Sequence, residues 1–305
     1  VIVTEGTNMD HRGKMILHII LLLALCGLLY FPYLTTPFFN KVEPREALAV
    51  QDIVRRGDWL VPLTRGTDIP YKPPLFHWSA ALVSSITGRL DEATIRFPSA
   101  LYATLCVLLI YTLGHKLFGA QIALLGGGIL ATTLVFTIQA VTARVDMTLC
   151  FFVTLSLVLF YLLYRGFLTR ELWRYAFYAT VGIGILAKGP LGILLPGLVA
   201  GTFLIVKKRG DLLAKFSFHP GVILTLLLGA GWYGITVARG GEGFVDLQLF
   251  TENLSRFFGG SGHSHPVHYY IHIFSPKPCP GASFYPSCYG IHSSEDSALM
   301  MIAYF

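Results

Sequence analysis

The chain has 305 residues, of which 54% are hydrophobic and only 13% charged, about half the charged share of an ordinary soluble domain. The apolar residues come in long blocks, which excludes a water-soluble globule and suits helices that cross a bilayer. The net charge of +6 is spread between those blocks rather than gathered in a basic stripe, so a nucleic-acid partner is excluded and membrane lipids are the expected surroundings.

Residues 1–14 are expected to form a cytoplasmic segment, with Met9 as the natural start and no function on residues 1–8. The apolar run at 15–33 is too long for a signal-peptide core and has no small-residue cleavage site, so it is expected to remain as the first span. Further apolar blocks at about 95–114, 120–141, 147–164, 175–187, 189–206 and 220–238 bring the expectation to roughly seven spans. The predicted fold is all-α, a polytopic transmembrane helical bundle with interfacial helices in a large first outer loop, 34–92.

That loop contains two amphipathic stretches. Ala47 to Leu60 places Ala49, Val50, Ile53 and Val54 at helical spacing beside Arg55 and Arg56, a pattern for a helix lying along the interface. Its start, Glu43-Pro-Arg-Glu-Ala47, reads as a helix N-terminus, with a proline in the first turn and acids near the positive end of the helix dipole. Residues 75–87 are apolar but too short to span and include His77 and Trp78, which predicts an interfacial or re-entrant helix.

The short segments that carry Arg12 and Lys14, Lys116, Arg165, Arg170 and Arg174, and Lys207, Lys208, Arg209 and Lys215 all fall on one side when the N-terminus is inside. This is the positive-inside pattern of a multi-pass protein of the bacterial cytoplasmic membrane. Among the acidic residues only Glu5, Asp10, Glu171 and Asp211 then lie inside. The opposite, periplasmic face collects Glu43, Arg45, Glu46, Lys72, Arg96, Arg144, Asp146, Lys188, Glu252, Asn253 and Arg256 from separate loops. Ionisable groups at such depth are costly, and they ordinarily face a cavity, pair with one another or bind a ligand.

Each position also has a plainer reading. Glu43 or Glu46 is placed to take a proton from an acceptor hydroxyl or amine, yet helix capping accounts for the same acids. Lys188, in the turn before Gly189-Pro190, is placed to meet a phosphate, yet a lysine at a helix end also snorkels. Arg144 and Asp146 are either cavity residues or a turn pair. Lys72, stiffened by Pro73 and Pro74, suits a phosphate as a point charge. A divalent metal is a candidate cofactor, with His263 and His265 as candidate ligands, although no HExxH spacing is present.

Taken together, Glu43-Pro-Arg-Glu-Ala47, Gly57-Asp-Trp-Leu-Val-Pro62, Tyr71-Lys-Pro-Pro-Leu-Phe-His-Trp78, Ile95-Arg-Phe-Pro-Ser-Ala100, Ala143-Arg-Val-Asp-Met147, Leu186-Ala-Lys-Gly-Pro190, Gly231-Trp-Tyr233 and Glu252-Asn-Leu-Ser-Arg-Phe257 resemble one group of proteins. They are similar, in order and spacing, to the bacterial membrane glycosyltransferases of the protein O-mannosyltransferase and aminoarabinose (lipid A) transferase superfamily, of GT-C fold. The resemblance covers about residues 15–270 and implies transfer of a sugar from a polyprenyl-phosphate donor to a lipid or protein acceptor on the outer face of the membrane.

By position, Glu43 matches the second acid of the family's catalytic pair, whose first acid is replaced here by Val42. This leaves the base between Glu43 and Glu46. The resemblance assigns Lys72 to the donor phosphate and places Arg144 and Lys188 at cavity-lining positions; the chemistry of a phosphate leaving group makes Arg144, Lys188 and Arg256 further candidates to hold it. Arg45, Arg96, Asp146, Glu252 and Asn253 are expected to line the cavity. Tyr71 stands where an acid often precedes the lysine, which speaks against an acid-and-histidine metal site.

The transferase domain is expected over 15–274, with residues 275–305 an atypical tail, out of frame or truncated. The alternatives are a transporter or flippase of lipid-linked sugars and an inactive truncated remnant.

Overall fold

The structure is a computed structural model and describes residues 11–40, 42–64, 68–239 and 242–255. The expectations for residues 1–10 and for the tail at 275–305 lie outside these. The described chain is helical throughout, apart from one isolated bridge between Thr64 and Asp68.

Helix α1, His11–Tyr30, is apolar on all sides. Only the stripe Leu22, Cys26 and Tyr30 is buried, while Ile16, Ile20 and Leu28 stay exposed. Such a distribution suits a helix whose outer face meets lipid rather than water. Helices α2 (Val42–Arg56) and α3 (Leu75–Thr87) follow between the first two long apolar blocks, α3 with the bounds the sequence predicts. Far from lying free on a surface, α3 buries Phe76, His77, Ala80, Ala81 and Ser84. It packs against α2, against α4 (Glu92–Phe118) and against the helices that carry the fourth and fifth long apolar blocks.

Helix α4 begins with a capping box. Asp91 accepts from the Thr94 amide at 3.0 Å, and the Asp91 amide donates to the Thr94 hydroxyl at 3.1 Å. Its 27 residues reach about 40 Å at 1.5 Å per residue, enough to cross the hydrocarbon core. The block at 120–141 differs from the expected continuous span. It is split into α5 (Ala120–Thr132) and α6 (Leu134–Ala140), bent by 66° at Thr133. Backbone groups freed in a membrane must find partners within the protein. At this break the Ala131 carbonyl accepts from the Tyr30 hydroxyl at 2.9 Å and from the Thr137 hydroxyl at 3.1 Å.

Helices α7 (Val145–Tyr164), α8 (Glu171–Lys188) and α9 (Leu191–Val206) come next, then the short α10 (Gly210–Ser217) and α11 (Gly221–Ala238). Four helices among the described residues are long and apolar enough to cross a membrane, and α5 with α6 makes a fifth if taken as one broken span. The other two expected spans fall short of that standard: α9 has 16 residues, and α8 carries Glu171, Arg174 and Lys188.

The α8–α9 hairpin depends on glycine. Gly189 has φ 65° at the turn, where a side chain is strained. A Cβ on Gly192 would lie 2.1 Å from the Gly184 carbonyl carbon, so backbone meets backbone there. Close approach of this kind is how helices pack in lipid. We expect Gly192→Ala to lower the thermal midpoint of the detergent-solubilised protein by an amount equivalent to about 1–3 kcal/mol of overpacking. Gly197→Ala, with open space at its Cβ position, should leave the midpoint unchanged.

Candidate functional site

The predicted site residues fall into a buried hub and an exposed cluster at the end of the molecule where α2, α4 and α7 begin. The hub is built on Glu43. Asn40 starts α2 by accepting the amides of Val42 and Glu43 at 2.9 and 3.0 Å, which releases Glu43 from the capping role that its position suggests. The Glu43 carboxylate, with no exposed surface, instead accepts from Arg96 Nε at 2.7 Å and Nη2 at 3.1 Å. It also accepts from the Ala143 amide at 2.9 Å, the Asn40 side-chain amide at 3.1 Å and the Phe39 amide at 3.3 Å. These five bonds leave its oxygens saturated.

Arg96 is equally committed. Its Nη1 donates to the carbonyls of Tyr33, Leu34 and Thr36 and to the Thr36 hydroxyl, and its Nη2 to the Pro37 carbonyl. The rings of Phe38 and Phe39 lie 5.2 Å from the guanidinium carbon. The sequence places Arg96 on the cavity wall, whereas its side chain is fully enclosed. It staples the loop after α1 to α4 and, through Glu43, ties both to the start of α7.

Glu46, one helical turn on, has a different environment. Its Oε2 lies 2.7 Å from His77 Nε2 on α3, and its Oε1 accepts from Arg45 at 3.3 Å. Burial pushes this carboxyl up, but the His77 hydrogen bond and charge and the Arg45 guanidinium outweigh it and hold Glu46 below its ordinary value. Arg45 is over a third exposed and lies 4.5 Å above the Tyr71 ring. That stacking joins the Glu43–Ala47 and Tyr71–Pro74 motifs. The backbone of the second motif is held by Gln248, which donates to the Pro70 and Lys72 carbonyls at 2.7 and 3.0 Å.

The exposed cluster consists of Arg144, Asp146 and Lys188. Arg144 Nε lies 3.2 Å from Asp146 Oδ2, and Lys188 Nζ meets Asp146 Oδ1. Asp146 sits in the first turn of α7 and Lys188 in the last turn of α8, each at the helix end whose dipole favours its charge. All three side chains are partly exposed, at 41, 24 and 26%. One carboxylate between two cations leaves a local surplus of positive charge open to solvent or headgroups. This cluster adjoins the hub directly, because Ala143, which donates to Glu43, precedes Arg144.

The structure therefore brings together Glu43 with Arg96, Glu46 with Arg45, and Asp146 with Arg144 and Lys188. Glu252 and Asn253 lie in the π-helical turn Asp246–Ser255, with side chains outside the described set. Arg256, His263 and His265 are outside the described residues, within which no three metal-ligating side chains gather. His77 is the residue whose role the sequence hides. Its partner Glu46 is 31 positions away, and a histidine in an apolar helix gives no sign of which face it serves.

Residues 71–233 match the family described as dolichyl-phosphate-mannose-protein mannosyltransferase. A relative named undecaprenyl phosphate-alpha-4-amino-4-deoxy-L-arabinose arabinosyl transferase 1, from Pseudomonas fluorescens, is 29% identical over 272 residues, 88% of this chain and 49% of its own length. The crystal structure of ArnT from Cupriavidus metallidurans bound to undecaprenyl phosphate superposes with a TM-score of 0.76 at 25% identity, covering 84% of this chain and 47% of that one. The apo oligosaccharyltransferase of Archaeoglobus fulgidus shares the fold, with a TM-score of 0.55 at 16% identity over 91% of this chain and 40% of that one. The chain spans about half the length of the curated relatives it matches.

Proposed function

The chain belongs to the dolichyl-phosphate-mannose-protein mannosyltransferase family and has the ArnT-like GT-C fold, and from that premise we propose that it moves a sugar from a polyprenyl-phosphate donor to a lipid or protein acceptor. The observation that carries the proposal is the pairing of a surplus of accessible cations at Arg144 and Lys188 with an ionised carboxylate at Glu46 at one end of the bundle. The positive-inside distribution of Lys and Arg supports a periplasmic location for that end. It also supports counting α8 and α9 with the spans of the transferase domain.

In the proposed reaction the acceptor oxygen or nitrogen attacks the anomeric carbon and forms the new glycosidic bond. The bond from that carbon to the phosphate oxygen breaks, and the electron pair leaves with the polyprenyl phosphate. The acceptor's proton passes to Glu46. Negative charge grows on the phosphate during this step, and fixed cations at a partly dry site stabilise it without reorganising. Lys188, Arg144 and Lys72 supply that charge in the proposal, with Arg256 as a further candidate. A donor phosphate also competes with Glu46 for Arg45, which draws the guanidinium away from Oε1 and uncovers the base.

A transporter reading has one feature in its favour, the broken pair α5 and α6, since discontinuous helices mark many transporter sites. Thr133, at that break, and its neighbours carry no charge, whereas the charged groups lie at the ends of α7 and α8. The test supplies radiolabelled polyprenyl-phosphate sugars, pentose and hexose in separate arms, to membranes that contain the protein. Label should reach lipid or protein. Lys188→Ala should cut the rate about 10²–10³-fold, with little loss of stability because the side chain is partly exposed. Transfer at the wild-type rate would remove the cluster from the mechanism, and absence of transfer from every donor would overturn the reading.

A further inference from the structure

His77 has features that a packing residue does not need. Its side chain is wholly buried, and it points Nε2 at a carboxylate that is itself only 5% exposed. Its second nitrogen, Nδ1, is buried with no hydrogen-bond partner. With Nδ1 unpartnered, Nε2 is the ring atom that carries the contact, and it donates to the Glu46 carboxylate.

The buried and paired charged groups on the elements packed around α3 are engaged elsewhere. On α2, Glu43 is closed on Arg96 of α4, and Asp52 is closed on Arg56. On α7 and α8, Arg144 and Lys188 share Asp146. Tyr102 of α4 meets Ser79 rather than His77. Glu46, with Arg45 on its other oxygen, is the carboxylate that faces the ring.

The ring is also held firmly. Phe76, Ala80 and Ala81 beside it are fully buried, and Pro73 and Pro74 precede the helix. A bond from so rigid a helix fixes which way the Glu46 carboxylate faces. We propose that His77 is a positioning residue for the transfer reaction: donating from Nε2 across the α2–α3 contact, it holds the Glu46 carboxylate aimed as the base. This inference rests on the transferase reading above. It adds a residue that never touches the substrate and acts through Glu46. One turn of α2 thus holds two carboxylates with opposite assignments. Glu43 is saturated and structural, and Glu46 is oriented by one buried ring nitrogen and covered by one displaceable cation.

The experiment compares wild type, His77→Leu and His77→Gln in membranes containing the full chain, reading kcat, KM and the acid limb of the pH profile. Gln places a side-chain N–H near the position of Nε2 and does not titrate. We expect His77→Leu to lower kcat about 10²-fold with KM almost unchanged, the cost of a base misplaced by about an ångström. Its acid limb should move to higher pH, because Glu46 loses the donor that holds it below its ordinary value of 4.5. His77→Gln should recover at least about tenfold of that loss and return the limb toward wild type. Gln no better than Leu, or Leu with unmoved kcat and limb, would overturn the proposal.

A second readout needs no activity. Stability owed to an ionised Glu46 is present above pH 4.5 and lost as pH falls through the lower folded value, and the Glu46→Gln variant lacks this dependence. In thermal melts the Glu46-dependent acid loss should be smaller in His77→Leu than in wild type or His77→Gln, because a higher folded value narrows the window below pH 4.5 over which that stability is lost. If wild type transfers no sugar while the melts follow this order, the transferase reading fails and the pairing stands. If the melts of Leu and Gln coincide, the pairing itself is wrong.

Discussion

Arg96→Leu is expected to destabilise the protein by about 3–5 kcal/mol, the cost of removing one partner from a buried ion pair. The guanidinium has no exposed surface and spends its donors on Glu43 and on four backbone carbonyls of the loop after α1. Its loss leaves the Glu43 charge buried with only the amides of Phe39, Asn40 and Ala143 as donors. Those carbonyls lose their partner as well. Lysine should not rescue the variant, since a single ammonium does not reproduce the planar fork that reaches Glu43 and the loop together. Replacing both residues, Arg96→Leu with Glu43→Leu, should cost less than the sum of the single changes, because no unpaired charge remains. Thermal unfolding in detergent measures all four proteins. Strict additivity would mean that the two residues act independently, against the geometry of the hub.

That hub marks the limit of what the sequence makes legible. Helix positions were readable because length and apolarity determine them locally: α3 has the predicted bounds, and all seven apolar blocks are helical. The break at Thr133 was not readable, since no proline or glycine stands there. It is supported by Tyr30, whose hydroxyl donates to the Ala131 carbonyl 101 positions later, and a tertiary partner leaves no local trace. The candidate site shows the same division. Sequence patterning gathers Glu43, Glu46, Arg96, Arg144, Asp146 and Lys188 on one face, because each ends or begins an apolar segment. Which acid meets which base depends on helix packing, over separations of 53 residues for Glu43 with Arg96 and 42 for Asp146 with Lys188. Burial then separates roles that residue type alone leaves together. Arg96 and Arg144 are both arginines near the start of a helix, yet one is enclosed and the other is 41% exposed.

Glu46→Gln is expected to reduce sugar transfer about 10²–10⁴-fold, the range for loss of a general base, while leaving the fold almost unchanged. The glutamine is isosteric, and its carbonyl still accepts from His77 Nε2, so the α2–α3 contact survives without the basic oxygen. Glu43→Gln should behave in the opposite way. Its position accepts five hydrogen bonds, including two from Arg96. An amide in that place turns two donors toward other donors and leaves Arg96 without its counter-charge, so stability falls. Turnover per folded molecule should stay near wild type. Measuring turnover against the folded fraction therefore separates the two carboxylates that the sequence leaves as alternatives for the base. A Glu43→Gln protein that folds but does not turn over, beside a Glu46→Gln protein that does, would reverse the assignment. The physical ground for expecting otherwise is saturation. A carboxylate that already accepts five hydrogen bonds in a fully buried site has no lone pair to offer an incoming proton, whereas Glu46 needs only to release one partly exposed arginine.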